Sequence, residues 1–324
     1  MELKKSIEPD MTPEEFQLFR DYIHEKSGIH FAENKMYLVK NRLIKRMNEL
    51  GVKDYRDYFY NIKYDNTMAE FNNLMNLITT NETSFFRNEP QLKSFSDEVI
   101  PKIIEEKQLS RQPKTIKIWS AGCSTGEEPY TLGVILKEKL LAYPDWKIEI
   151  VANDISDQVL KAARRGLYNN LTLRNVKPEF LEKYFTKVNE SYQINPEIKA
   201  MVNFTHLNLN DSRLMSSQIG YDIIFCRNVM IYFSEEVKKQ LVRNFYNSLN
   251  AGGYLYIGHS ESLHGISKAF KLVYFKNALV YNKEKAESVT ARKPAFSATL
   301  LTKKEESPAA RANRALDLLS NIKK

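Results

Sequence analysis

From about residue 115 the chain alternates short β-rich runs with helical ones: "TIKIWSA", "PYTLGVILKEKLL", "KIEIVAND", "SDQVLKAARRGLY", "VNFTHLN", "YDIIFCRN", "SEEVKKQLVRNFYNSL" and "GGYLYIGH". No other feature constrains the fold so tightly. Strands separated by helices are joined by crossovers and pair in parallel, which gives a doubly wound α/β sheet. The alternation lapses between Asn169 and Lys199, where Pro and Asn accumulate and "YFTKVNESYQIN" reads as a short hairpin. A small β insertion is therefore expected at about 169–200. The strand candidates "KLVYF" and "ALVYN" close the series.

Residues 12 to 80 carry no strand pattern and read as a run of helices. The first begins at "TPEEFQLF", where Thr12 is the N-cap, Pro13 the first helical residue and Glu15 the partner of a capping box. In "ENKMYLVKNRLIKRMNEL", Met36, Val39, Leu43, Met47 and Leu50 recur at spacings of three and four, so one face is apolar and Gly51 ends the helix. Beside that face, Lys35, Arg42 and Arg46 fall within a narrow angular range, with Lys45 next to them, as a cationic stripe. The expected organisation is a helical domain over 1–80, a linker over 81–113, an α/β domain over 114–284 and a flexible tail over 285–324. "PAARANRALDLLSNI" would form an amphipathic helix in that tail.

The longest apolar runs, such as "LGVIL" and "GYLYIG", fall far short of the roughly 20 residues needed to cross a bilayer, and "MELKKSIEPD" has no apolar signal core, so a cytoplasmic protein is expected. Cys123 and Cys226 are too few for a disulfide framework and share no metal-ligand spacing with the histidines, so no metal is implied. Both read as buried, inert thiols, and His259 as a hydrogen-bonded structural residue. The net charge of +8 favours an acidic partner without saying which kind.

Where the first strand turns into its helix the chain reads "WSAGCSTGEEPY". In a doubly wound sheet this is the ligand position. A P-loop would continue with Lys and Ser or Thr, and a dinucleotide fingerprint would read G-x-G-x-x-G. Here Gly122 and Gly126 are followed by Glu127 and Glu128. Two carboxylates at a helix start repel phosphate and suit a cation or hydroxyl groups. The second strand ends in "VANDIS", and an acid at that place accepts hydrogen bonds from ribose hydroxyls, so Asp154 points to a nucleoside. A glycine turn or a strand-end acid alone is commonplace in tight turns and helix caps. The two in register indicate a cationic nucleoside without phosphate, S-adenosylmethionine (SAM).

"TTNETSFFRN", "WSAGCSTGEEPYTLGVIL", "ANDIS", "FCRNVMIYF" and "GHSESL", in that order, resemble the chemotaxis receptor methyltransferases, the CheR family, over roughly residues 12 to 283. The resemblance implies a small all-helical N-terminal domain followed by a Rossmann-like SAM-dependent methyltransferase domain. It puts Asn81, Thr83 and Arg87 at the SAM site, Glu127 on the methionine or adenosine part and Asp154 on the ribose. Asn208 and Leu209 fall near the adenine, Arg227 and Asn228 beside the cofactor, and Tyr232 near the transferred methyl. Arg87 and Tyr232 are the expected catalytic pair.

The family forms methyl esters on glutamate side chains of chemoreceptors. A glutamate is already ionised at neutral pH, so no general base is needed, and catalysis would rest on alignment and desolvation. The stripe of Lys35, Arg42, Lys45 and Arg46 would dock on the acidic receptor helices. Some members grip a receptor C-terminal pentapeptide by strand addition through a glycine-containing loop. "TKVNESYQIN" is shorter and lacks glycine, so a form independent of that tether, acting as a monomer, is expected. The other classes consistent with the residues are a SAM-binding signalling module without turnover and a nucleic-acid methyltransferase. Against the latter, "RNVMIY" stands where base amino-group methyltransferases carry an Asn/Asp-Pro-Pro-aromatic motif, so no nucleic-acid partner is expected.

Overall fold

A computed structural model describes residues 10–285 of the chain. The expected tail, with its terminal helix, lies outside the described residues. Among the described residues four α-helices come first: α1 (Pro13–Ser27), α2 (Met36–Leu50), α3 (Tyr55–Lys63) and α4 (Ala69–Ile78). The start of α1 is the capping box read from the sequence: Thr12 Oγ1 accepts the Glu15 N–H at 3.2 Å and Glu15 Oε2 accepts the Thr12 N–H at 2.8 Å. Phe19 anchors the bundle, its ring in edge contact with Tyr55 and Phe59 and tilted on Tyr58. In α2, Val39, Leu43 and Met47 are buried as expected, but Leu50 is exposed, because Gly51 (φ 69°) turns the chain away one turn too early for it to reach the core.

The stretch read as a linker over 81–113 is largely helical. Helix α5 (Glu89–Ser94) runs through a widened turn (Phe95–Val99) into α6 (Ile100–Leu109). Pro101 accounts for the widening, since its ring excludes the carbonyl four residues earlier from a regular turn. Leu92, Phe95, Val99, Ile103 and Ile104 are buried with Ile118, Phe225 and Tyr256 in one core, so this helix is the first layer on the sheet. Lys107 fixes it there, donating to Asp222 and to the Thr115 carbonyl, each at 2.6 Å. Among the described residues no strand precedes it, and a β-to-α alternation cannot register such a helix.

The strands are β1 (Thr115–Ala121), β2 (Lys147–Asp154), β3 (Leu167–Tyr168), β4 (Phe185–Val188), β5 (Ser191–Ile194), β6 (Val202–His206), β7 (Tyr221–Cys226), β8 (Leu249–Ile257), β9 (Lys271–Tyr274) and β10 (Leu279–Asn282). Seven of them form one sheet in the order β6-β2-β1-β7-β8-β10-β9. The pairs from β6 to β8 are parallel, while β10 runs antiparallel to both of its neighbours. Helices α7 (Glu127–Lys139), α8 (Asp157–Arg165), α11 (Ser212–Ser216) and α12 (Glu235–Ser248) make the connections. The strand order reverses between β1 and β7, which sets a crevice at their carboxyl ends.

The insertion forms a second sheet in the order β3-β5-β4, with α9 (Pro178–Tyr184) and α10 (Pro196–Lys199) around it. Its hairpin turns on Asn189 (φ 53°) and Glu190, and its third strand starts at Leu167, just before the boundary expected from the sequence. The helical domain is continuous with the larger sheet: Phe19, Leu43 and Leu74 share one core with Trp119, Ile224 and Phe245. Ser156 donates to Asn76 Oδ1 at 2.6 Å, and the His30 N–H donates to the Tyr232 carbonyl at 2.8 Å. Among the described residues no helix is long and apolar enough to cross a membrane.

Candidate active site

The turn after β1 is shaped by its glycines and closed by β2. Gly122 has φ 78°, and a Cβ there would lie 2.5 Å from Val229 Cγ2, so only glycine fits both the backbone and the space. The N–H groups of Gly122 and Cys123 donate to the Asn153 carbonyl at 2.9 and 2.8 Å. Asp154, at the end of β2, accepts the Ser124 N–H at 2.9 Å and the Ser156 N–H at 3.0 Å. Burial raises the Asp154 carboxyl above its ordinary value, and those N–H donors offset only part of the rise. The carboxylate is thus fixed at the rim of the crevice by backbone alone.

Above this turn lies a cleft of about 640 Å³. Of the residues expected at the site, Asn81, Thr83, Arg87, Asp154, Asn208, Leu209, Arg227, Asn228 and Tyr232 all line it. Glu127 does not. It is 1% exposed, its Oε2 accepts from Thr125 Oγ1 at 2.6 Å, and burial raises its carboxyl. Adjacent helical residues point about 100° apart, so only one acid of the pair can face the cleft, and that one is Glu128. Glu128 accepts from Ser120 Oγ at 2.7 Å and from Arg227 Nε at 2.6 Å.

The Arg227 Nη1 donates on to the Arg87 carbonyl at 2.8 Å, tying the end of β7 to the segment before α5. Arg87 itself has a different standing. Its Nη1 donates only to the Glu82 carbonyl, at 3.2 Å, and no carboxylate among the described residues pairs with it. The Asn208 side chain lines the cleft but is committed to the fold, donating to the Lys26 carbonyl at 2.6 Å and accepting the Asn210 N–H at 3.0 Å.

Two groups of site residues escape sequence reasoning. The helical domain supplies a wall of the cleft through Ile29, His30, Phe31 and Leu38, and Lys35, expected on a docking stripe, lines it too. These are long-range contacts for which a local pattern holds no signal. Glu261, inside the motif "GHSESL", accepts the N–H groups of Gly258, Asn228 and Ile231 at 2.6, 2.9 and 3.2 Å. It therefore caps the turn that presents Asn228 and Tyr232. Asn88, Ser124 and Asn228, three of the seven non-glycine residues with positive φ among those described, border the cleft or the pocket beside it. Each such backbone costs of order 1 kcal/mol, and strain of this kind collects at functional sites.

The cationic stripe is narrower than its sequence suggests. The Arg42 guanidinium donates to the Ile78 carbonyl and to Thr80 Oγ1. All three nitrogens of Arg46 are spent on Glu70 and Glu49, at 2.8 to 3.0 Å. Both arginines bind their own fold, and Lys45 remains exposed. Cys123 and Cys226 are buried, and burial raises both thiols. Among the described residues no cluster of His, Cys, Asp or Glu is arranged to hold a metal ion.

SAM fits these residues. A buried acid lines the cleft at the end of β2, the turn lacks a phosphate-binding lysine, and a further acid lines the cleft at the helix start. Fold and site together define a SAM-dependent methyltransferase of Rossmann-like fold. Residues 14–79 match the family description "CheR methyltransferase, all-alpha domain", and residues 81–279 match "CheR methyltransferase, SAM binding domain".

Chemotaxis protein methyltransferase 2 of Vibrio cholerae is 36% identical over 274 residues, spanning 84% of this chain and 94% of that protein. The chemotaxis protein methyltransferase of Borreliella burgdorferi is 35% identical, spanning 81% and 93%, and that of Escherichia coli 32%, spanning 79% and 87%. The chain belongs to the CheR methyltransferase family.

Proposed function

We propose that the protein transfers the methyl group of SAM to glutamate side-chain carboxylates in the cytoplasmic helical bundle of chemoreceptors, forming glutamyl methyl esters. The names of the relatives supply the chemotactic setting. SAM supplies, when bound, a methyl carried on a positively charged sulfur. The attacking glutamate oxygen uses its own lone pair to form the new O–CH₃ bond, the carbon–sulfur electron pair stays on sulfur, and no proton moves. The chain therefore needs no base.

Its residues have three tasks. Asp154 accepts the ribose hydroxyls. The buried Glu128–Arg227 pair holds the end of β7 against α7 beneath the reacting groups. Arg87 orients the incoming carboxylate, and Tyr232, pinned through its backbone by His30, aligns the methyl end. The helical domain walls the cleft on one side through Ile29, Phe31 and Leu38, which limits water there, while the Arg87 side chain is exposed to meet an incoming carboxylate.

The single observation that carries this reading is Arg87, a guanidinium on the cleft with no acid of its own. Docking on the receptor falls to the exposed Lys45 edge of α2 rather than to Arg42 and Arg46. The two-residue hairpin turn at Asn189 and Glu190, without a glycine, supports action without a receptor pentapeptide. Incubation of the full chain with labelled-methyl SAM and a receptor cytoplasmic fragment is expected to give base-labile label on glutamates, lost in Arg87→Ala. Tight SAM binding without transfer to any fragment would instead make the protein a signalling module.

A further inference from the structure

A second pocket, of about 240 Å³, opens beside the cleft and shares Arg87, Arg227 and Asn228 with it. Asn88 just before α5, Gln91 within it, and Gly258 and His259 after β8 complete its lining. We propose that this pocket is the subsite for the carboxylate of the substrate glutamate. The inference rests on the methyltransferase activity proposed above.

Position, charge and size each support it. Asp154 fixes the nucleoside at the end of β2, on one side of β1, whereas this pocket stands over the ends of β7 and β8, on the other side. A methyl donor laid across the crevice from β2 presents its reacting end towards β7, so the acceptor must arrive from the half where the pocket lies. No acidic side chain lines it. Glu128 and Glu261, which bond to its lining residues, are spent on Arg227 and on the N–H groups of Asn228 and Gly258. Arg87 is left without an acid, and His259 is exposed with no hydrogen bond among the described residues, which also corrects its expected structural role.

The pocket has less than half the volume of the cleft, suited to a side chain rather than a nucleoside. Its walls are held in advance. Gln91 donates to the Ile257 carbonyl at 2.7 Å and receives Arg227 Nη1 at 3.4 Å, and Asn88 and Asn228 sit at φ 63° and 60°. A recess with these walls fixed beside the methyl position lowers the entropy cost of aligning a flexible glutamate.

His259 gives the cleanest test, because it lines this pocket and not the cleft, and its exposure keeps substitutions from disturbing the fold. In the full chain, His259→Glu is expected to raise KM for a receptor cytoplasmic fragment about tenfold through like-charge repulsion, and His259→Gln about twofold. The affinity for S-adenosylhomocysteine (SAH), measured by calorimetry, should stay within about twofold in both. An unchanged KM in His259→Glu would overturn the proposal. So would a loss of SAH affinity matching the rise in KM, since the pocket would then hold the cofactor's amino-acid end. A wild-type protein that binds SAH yet methylates no fragment would remove the underlying activity, and that outcome is visible before any variant is made.

Discussion

Two arginine–glutamate pairs, one in each domain, use the same chemistry to opposite ends. In the helical domain, Arg46 gives every nitrogen to a carboxylate, and Glu70 in turn accepts from Tyr58 and Asn73. In the cleft, Arg227 gives Nε to Glu128 and Nη1 to the Arg87 carbonyl and Gln91, and among the described residues its Nη2 has no partner. A saturated pair is a rivet between α2 and α4. An unsaturated one, at the wall of a cavity, still has a donor to offer a ligand.

The side chains of Arg227 and Glu128 are 6% and 12% exposed, those of Arg46 and Glu70 23% and 14%. That difference sets the expected energetics. Arg227→Met strands a carboxylate inside the cleft and is expected to cost about 3 kcal/mol in urea unfolding, together with SAH binding. Arg46→Met leaves Glu70 with two other donors and more solvent, so about 1 kcal/mol is expected, with SAH affinity intact. Equal losses in the two variants would erase the distinction between rivet and wall.

Asp154→Ala removes the acceptor that only the cleft possesses. A loss of at least about 30-fold in SAH affinity is expected in calorimetry, corresponding to about 2 kcal/mol, together with a stability cost of about 1 kcal/mol because the Ser124 and Ser156 N–H groups lose their acceptor. Binding that survives the substitution would move the nucleoside elsewhere in the crevice.

The two neighbouring acids sharpen the contrast further. Glu128→Gln should weaken SAH binding through Arg227, while Glu127→Gln leaves it within about twofold, because Glu127 faces Thr125. Glu127 has a folded pKa raised by burial above its ordinary value of 4.5. The stability it contributes is therefore complete below pH 4.5 and lost as pH rises through the higher folded value. Glu127→Gln escapes that loss. Its stability relative to wild type should grow from pH 4.5 towards neutrality, and parallel urea-derived profiles for the two proteins would contradict the buried placement.

The smallest effect is expected at Lys45. Lys45→Glu should raise KM for a receptor fragment about twofold at low salt, vanish at high salt and leave SAH affinity unchanged. A larger, salt-independent effect would mean that α2 meets the receptor through packing instead.

Much of this was legible in the residues. The β-to-α alternation specified the doubly wound sheet, the capping box at Thr12 set the first helix, and the glycine turn with Asp154 marked the cleft. The misreadings share one cause. Glu127 and Glu128 are equivalent acids at a helix start, and only the rotation of α7 against β1 decides which faces the cleft. Arg42 and Arg46 look like a free stripe until α4 brings the Ile78 carbonyl and Glu70 to them. The segment 81–113 has no strand before it among the described residues, so its place on the sheet had no local signature.

The sequence by itself determined the order of the strands in the large sheet's domain, the class of the fold and the chemistry of the cofactor, because periodicity, caps and turn residues act within a few positions of one another. Only the tertiary structure decided which charges are spent and which are available. A guanidinium paired with a carboxylate and one left at a cavity are the same letter in the chain. They differ by contacts between residues as far apart as Glu128 and Arg227, which exist only once the sheet has closed around them.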